Sequence, residues 1–338
     1  MNRHERMHAA LSGQNIDRVP VSAWGHFFDR ENTAEGLAES MISFQKTYDW
    51  DFMKINCRGS YHAEAWGATY HQSGKPGERP VCTSHPLHSL EDWARIKRVA
   101  PDFGSLGEQL RAVELIRKEV GEEVPILMTV FSPLMIACFL YNLRSDFQNL
   151  PETVSAIKRD LAEDPTAVHD ALSAISQTFA DFGRALADSG VDGIYFATNV
   201  SSDSFFSDEE YRDLSRKYDL MVLQSVDTLP FNMLHLCGDK VHLADAADYP
   251  VAAIHWDTTA EGNVSLADGK NTVTQAVAGG VNRWTFSEGT PQEIQAQVRE
   301  AVRETEGERF LLAPSCAVSM TASPKENLQA FRTAVEEI

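Results

Sequence analysis

The chain has 338 residues, 43% of them hydrophobic and 23% charged, the balance of a globular protein with a sizeable core. Thirty Lys and Arg against 49 Asp and Glu leave a formal net charge of −19, with no concentrated basic patch. That excludes nucleic acid and anionic membrane surfaces as natural partners. The five cysteines are an odd number in a chain too large to need staples, and the first twenty residues carry no apolar signal segment. A cytoplasmic protein with free or metal-binding thiols is therefore expected.

In chain order, short apolar runs alternate with longer amphipathic patterns. Residues 19–23, 52–55, 126–130, 193–197, 231–236, 252–256, 274–279 and 310–313 read as buried parallel strands. The stretch 124–143 is uncharged for twenty residues, nominally enough to span a bilayer. Pro125 and Pro133 interrupt it, and Ser132-Pro133 reads as a turn between a buried strand and a new helix. Residues 61–90, rich in Gly and Pro, read as a hairpin excursion after the second strand. Helix starts are visible at Asp208-Glu209-Glu210, at Thr290-Pro291-Gln292-Glu293 and at Ser323-Pro324-Lys325-Glu326. Eight strands alternating with helices predict an α/β fold, a single (β/α)8 barrel occupying residues 1–338. A doubly wound sheet would carry a Gly-rich phosphate loop after its first strand, and there is none.

In such a barrel chemistry sits at the C-terminal strand ends. Residues just past the predicted strands are His26, Asn56, Arg58, Ser132, Asn199, His235, Cys237, Asp257 and Cys316, with Asp239 in the loop that follows Cys237. His235-Leu236-Cys237 is the sharpest feature, because residues i and i+2 of a strand project to one side. Imidazole and thiolate together suit Zn²⁺, and Cys316 lies beyond another strand end. Three protein ligands with one open position is the plan of a catalytic zinc site. The bland alternative is a buried His and two buried thiols without metal.

The segments HLCGD, NIDRVPVSAW, AIHWD and APSCAV with SPKENLQAF resemble the uroporphyrinogen decarboxylase superfamily over about residues 3–336. Within it they resemble the zinc- and corrinoid-linked methyltransferase branch, including methylcobamide:coenzyme M methyltransferases. The resemblance implies His235, Cys237 and Cys316 as zinc ligands, and a methyl group moved between a small methylated substrate or thiol and a corrinoid. No D-x-H-x-x-G corrinoid motif is present, so the corrinoid would arrive on a partner protein. The decarboxylases' Arg-rich loop after the first strand is absent. SAWGHFFDRE stands there with only Arg30, and KINCR replaces the decarboxylases' Asp after the second strand. Decarboxylation of a carboxylated substrate is the alternative function, and a non-catalytic small-molecule-binding barrel a third. His26, Asn56, Arg58, Asn199 and Asp257 are the candidate substrate contacts. His26 could equally be a fourth ligand or a core histidine, and Asp257 a support for a ligand histidine or a structural ion-pair partner. Trp24, Phe27, Phe28, Trp66 and Trp256 could form an aromatic cage or simply fill the core.

Overall fold

The structure, a computed structural model, describes residues 1–337. Seven strands form one curled parallel sheet: β1 (Met53–Ile55), β4 (Ile126–Phe131), β5 (Gly193–Thr198), β6 (Met233–Leu236), β7 (Ala253–Trp256), β8 (Ala276–Val281) and β9 (Phe310–Pro314). Their order in the sheet is their order in the chain, and every neighbouring pair is parallel. Helices return the chain between most of them, as parallel crossovers require. The excursion between β1 and β4 contains the expected hairpin, β2 (Thr69–His71) antiparallel to β3 (Val81–Ser84).

The sequence implied eight strands, and one of them departs from that expectation. Residues 19–23 make only an isolated bridge, Val21 to Leu312 of β9, instead of a ladder. Pro20 has no N–H to donate, so a regular ladder cannot run through it. Side chains take over. Asp51, just before β1, accepts from the Val21 N–H at 2.9 Å, and the Ser22 hydroxyl donates to the Phe52 carbonyl at 2.6 Å. The segment therefore touches β9 and the residues that lead into β1 without being a full strand.

The uncharged stretch 124–143 resolves as expected. It supplies β4, then Ser132 caps a buried helix, Pro133–Leu140, with Pro at its first position. No helix among the described residues is long and apolar enough to cross a membrane. Thr290 caps the helix Pro291–Thr305 through a reciprocal capping box with Glu293. The final helix, Lys325–Ala334, starts after Pro324 without a side-chain cap, so Ser323 is not the capping residue that its position suggested.

Side-chain parity divides the core. Trp24, Phe52, Leu127, Tyr195, Met233, Ala253, Ala276, Ala278, Leu311 and Ala313 pack inside the curl of the sheet, and the larger remainder packs between sheet and helices. Large rings on one side face alanines on the other, which leaves the interior filled. Lys54, His235 and His255 share the inward parity of Phe52, Met233 and Ala253.

Candidate metal centre

His235 is the inward-facing residue nearest the end of β6, and Cys237 follows on the same side. Cys316 lies two residues beyond β9. One ligand atom from each of the three falls within 4.8 Å of the others, and the Cys316 Sγ is 3.9 Å from the His235 Nε2. His235 is buried, and both thiols are half-buried. Cys237 hydrogen bonding holds Cys316 well below the usual thiol range, and the same bond pushes Cys237 well up.

A second histidine decides which nitrogen His235 presents. His255 lies directly opposite it in the β6–β7 register. The His255 Nε2–H donates to the Pro314 carbonyl at 2.9 Å, since a carbonyl can only accept. Burial drives His255 well below the ordinary histidine pKa, so it is neutral and its Nδ1 is an acceptor. That nitrogen takes the His235 Nδ1–H at 2.7 Å and is also 2.8 Å from the Tyr195 hydroxyl. His235 is thereby left with a bare Nε2 lone pair aimed at the two sulfurs. An imidazole nitrogen and two thiols converging, with the imidazole tautomer fixed by a buried partner, is a donor set that fits Zn²⁺.

The remaining candidates fall in different places. His26 lies beside a cavity of about 160 Å³ that is also lined by Phe28, Arg79, Arg283, Trp284 and Ala317, the neighbour of Cys316. The His26 Nδ1 is 3.0 Å from the buried Glu31 carboxylate, and its ring stacks on Phe28. Asn56 is buried, and its Oδ1 accepts from the Lys54 ammonium. Arg58 is taken up by Glu64, Glu108 and the Glu31 carbonyl, so no part of its guanidinium is left for a substrate. Asn199 follows β5 and is half-buried. Asp257 accepts from the Thr259 N–H and hydroxyl through one oxygen, a local turn just past β7. The aromatic residues do not form a cage. Trp24 and Trp256 are core, and Trp66 donates to the Lys97 carbonyl on the hairpin side.

Four residues that the sequence did not single out complete the site: His255, Lys54, Arg79 and Arg283. Arg79 comes from the hairpin loop, lies over Phe28 at 5.2 Å and donates to the Ser145 carbonyl. Arg283 follows β8 and stacks on Trp284 at 4.5 Å. Burial and the neighbouring Arg283 charge lower the Arg79 pKa, so two cations face one cavity, and among the described residues neither has a carboxylate partner.

The model of the family described as uroporphyrinogen decarboxylase (URO-D) matches residues 2–338. The chain belongs to the uroporphyrinogen decarboxylase family. It is 24% identical to a methylcobamide:CoM methyltransferase MtbA of Methanosarcina mazei, over 96% of this chain and 95% of that one. A methylcobamide:CoM methyltransferase MtaA of Methanosarcina barkeri is also 24% identical, over 98% and 97%. A uroporphyrinogen decarboxylase of Synechococcus is 25% identical over 73% of this chain and 67% of its own. Among solved structures, a methyltransferase from Methanosarcina mazei superposes with a TM-score of 0.80 at 21% identity, covering 100% of this chain and 99% of that one. The match establishes a shared fold.

Proposed function

We propose that this family member is a zinc-dependent methyltransferase that moves a methyl group between a small methylated substrate or thiol and a corrinoid carried on a partner protein. The whole chain would act as one domain on a (β/α)8 barrel in which residues 19–23 serve as the eighth stave. The observation that carries the reading is the convergence of His235 Nε2, Cys237 and Cys316, with His255 fixing the tautomer. The relatives that match nearly end to end bear methylcobamide:CoM methyltransferase names, which supports the same chemistry.

His235, Cys237 and Cys316 would hold the zinc. When bound, it supplies Lewis acidity to a fourth ligand, a thiol or the heteroatom of a methylated donor. The chain's own part is to orient and to exclude. His255 and Tyr195 lock the imidazole so that it cannot rotate away. Arg79 and Arg283 offer two unpaired guanidinium groups to an anionic tail of the substrate, next to Cys316. The cavity they line is about 160 Å³. That is well short of the roughly 300–1,000 Å³ of pockets for drug-sized ligands, so a small acid fits there and a tetrapyrrole does not.

Replacing Cys316 with Ala tests the reading. We expect the purified protein to carry one zinc per chain and the variant to carry none, with the fold retained by circular dichroism. Methyl transfer by the wild type should require an added corrinoid. Unchanged metal content in the variant, or turnover that survives omission of both zinc and corrinoid, would overturn the assignment. Decarboxylation of uroporphyrinogen at about 1 per second or faster would restore the decarboxylase reading.

A further inference from the structure

Four Lys or Arg side chains are buried among the described residues: Arg6, Lys54, Arg58 and Arg332. Arg6, Arg58 and Arg332 each meet two carboxylates. Lys54 meets none. Its ammonium donates to the Asn56 Oδ1 and lies 4.6 Å from the Tyr195 ring and 5.7 Å from the Trp24 ring. A lysine has three donors and no acceptor, so the Asn56 amide must turn its oxygen inward, and its Nδ2 is left without a partner. Burying an ammonium this way costs several kcal/mol unless an anion offsets it. Burial does pull Lys54 down to about 8, and the opposing influences come from Cys57, Cys316, Glu31 and Cys237. Geometry ties Lys54 to the metal centre, because the Tyr195 ring that faces the ammonium stacks on His235 with ring centroids 5.3 Å apart.

The charge of that centre explains why a cation belongs there. A dication held by two thiolates and a neutral imidazole is neutral overall. When a thiol substrate joins them, its S–H bond breaks, the proton leaves to the buffer and the sulfur keeps the electron pair. The centre then carries −1 inside an apolar barrel, where an uncompensated charge is expensive. We infer that Lys54 is the built-in counter-cation for an anionic sulfur at the open position of the centre, held on station by Asn56 and by the faces of Tyr195 and Trp24. The inference rests on the reading of His235, Cys237 and Cys316 as metal ligands with one open position. It makes Lys54 a positioning residue that acts through charge, and it sets the preference of the site for a thiolate over a neutral ligand of similar size.

The test uses the full-length protein loaded with Co²⁺, with 2-mercaptoethanol as the anionic probe and imidazole as the neutral one, each titrated by visible absorption. We expect the sulfur-to-metal charge-transfer absorption that Cys237 and Cys316 already give the wild type to increase as thiol is added. In Lys54→Met the half-saturating thiol concentration should rise about tenfold, with that of imidazole unchanged within twofold and with metal content unchanged. Lys54→Arg should restore thiol binding to within about threefold of wild type, because it restores the charge. Lys54→Gln provides the same comparison in a polar variant should the methionine protein fold poorly. Thiol and imidazole weakening together in both variants would reveal a merely structural role, and an unmoved thiol titration would show that the charge is irrelevant. Either result overturns the inference alone. A wild type that retains no metal, or whose Co²⁺ form shows no sulfur-to-metal absorption, overturns the metal reading and this inference with it.

Discussion

At the N-terminal ends of β1 and β5 every buried charge has a partner, whereas at the C-terminal ends Arg58 is paired and three other cations are not. Asp51 accepts from Arg6 at 2.8 Å and also from Arg18, while Asp192 accepts from Arg117 at 2.6 Å and from the Ile126 N–H that opens β4. On the other side Lys54, Arg79 and Arg283 have no carboxylate, and the thiols of Cys237 and Cys316 crowd together beside a bare imidazole nitrogen. Both regions use the same residue types at the two ends of the same curled sheet. The paired end has its energy invested in the fold, where removing a partner strands a buried charge. The unpaired end is short of anions and of a cation at its centre, which are the groups that a substrate and a metal would bring. The mouth does hold carboxylates, but they are engaged elsewhere, Glu31 with His26, Glu64 and Glu108 with Arg58, and Asp257 with Thr259, so among the described residues Lys54, Arg79 and Arg283 are left without one.

The comparison breaks most severely at Asp51. Asp51→Ala leaves Arg6 and Arg18 without their shared buried carboxylate and removes the acceptor of the Val21 N–H. A loss of about 3–5 kcal/mol is expected, read by chemical denaturation. A loss under about 1 kcal/mol would show that the paired end carries no more stability than the mouth does. Asp219 provides the next largest effect and a third way of managing buried charge. It is fully buried, accepts from Ser215 and Tyr249 at 3.0 Å and has no ion-pair partner among the described residues, so burial lifts it to about 7. The native state therefore keeps the proton that the unfolded chain gives up near pH 4. Stability should be greatest below pH 4 as far as this group is concerned, fall as pH rises from 4 to 7 by a few kcal/mol, and level off above 7. Asp219→Asn should flatten that slope in urea titrations at pH 5 and 8. An unaltered slope would place its origin elsewhere.

His255 separates the two ends by mechanism. It is a buried polar group satisfied on both nitrogens, like those of the paired end, yet one of its bonds fixes His235, the candidate metal ligand. His255→Ala removes the acceptor that fixes the His235 tautomer. A 10–100-fold weaker hold on zinc is expected by competition with a chelating dye, at unchanged ligand residues. Affinity within twofold of wild type would make the His235–His255 bond a packing feature only.

How much of this was legible in the sequence follows from what periodicity encodes. Strand parity exposed His235 and Cys237 as a same-side pair, and the strand after 310 placed Cys316 beside them. Parity cannot give cross-strand register. His255 sits within AIHWD among apolar neighbours and reads as core, because its value lies in facing His235 across β6 and β7. Arg58 carried the opposite error. It stands just past a strand end and reads as a substrate cation, but Glu64 and Glu108, supplied by other elements, claim its guanidinium. Arg79 was invisible because it reaches the mouth from the hairpin loop, far from any strand of the parallel sheet. The first strand was overread because residues 19–23 are apolar enough to be one, while Pro20 denies them a ladder.

The smallest effect expected on stability is also the most specific one on function. Arg283 is half-buried, its guanidinium stacks on the exposed Trp284, and it makes no ion pair among the described residues. Arg283→Met keeps most of the side chain's reach and removes the charge together with its stacking on an exposed ring, so unfolding should move by no more than about 0.5 kcal/mol. Relief of the repulsion with Arg79 works against the loss of stacking. For a small anionic substrate the KM should rise about tenfold with kcat nearly constant, because the guanidinium would grip the tail equally before and during reaction. A neutral analogue of the same size should show no change in KM. Equal losses for the charged and neutral compounds would mean that the arginine shapes the cavity rather than reads charge. In that case the contrast between the two ends of the sheet would rest on Lys54 and the thiols alone.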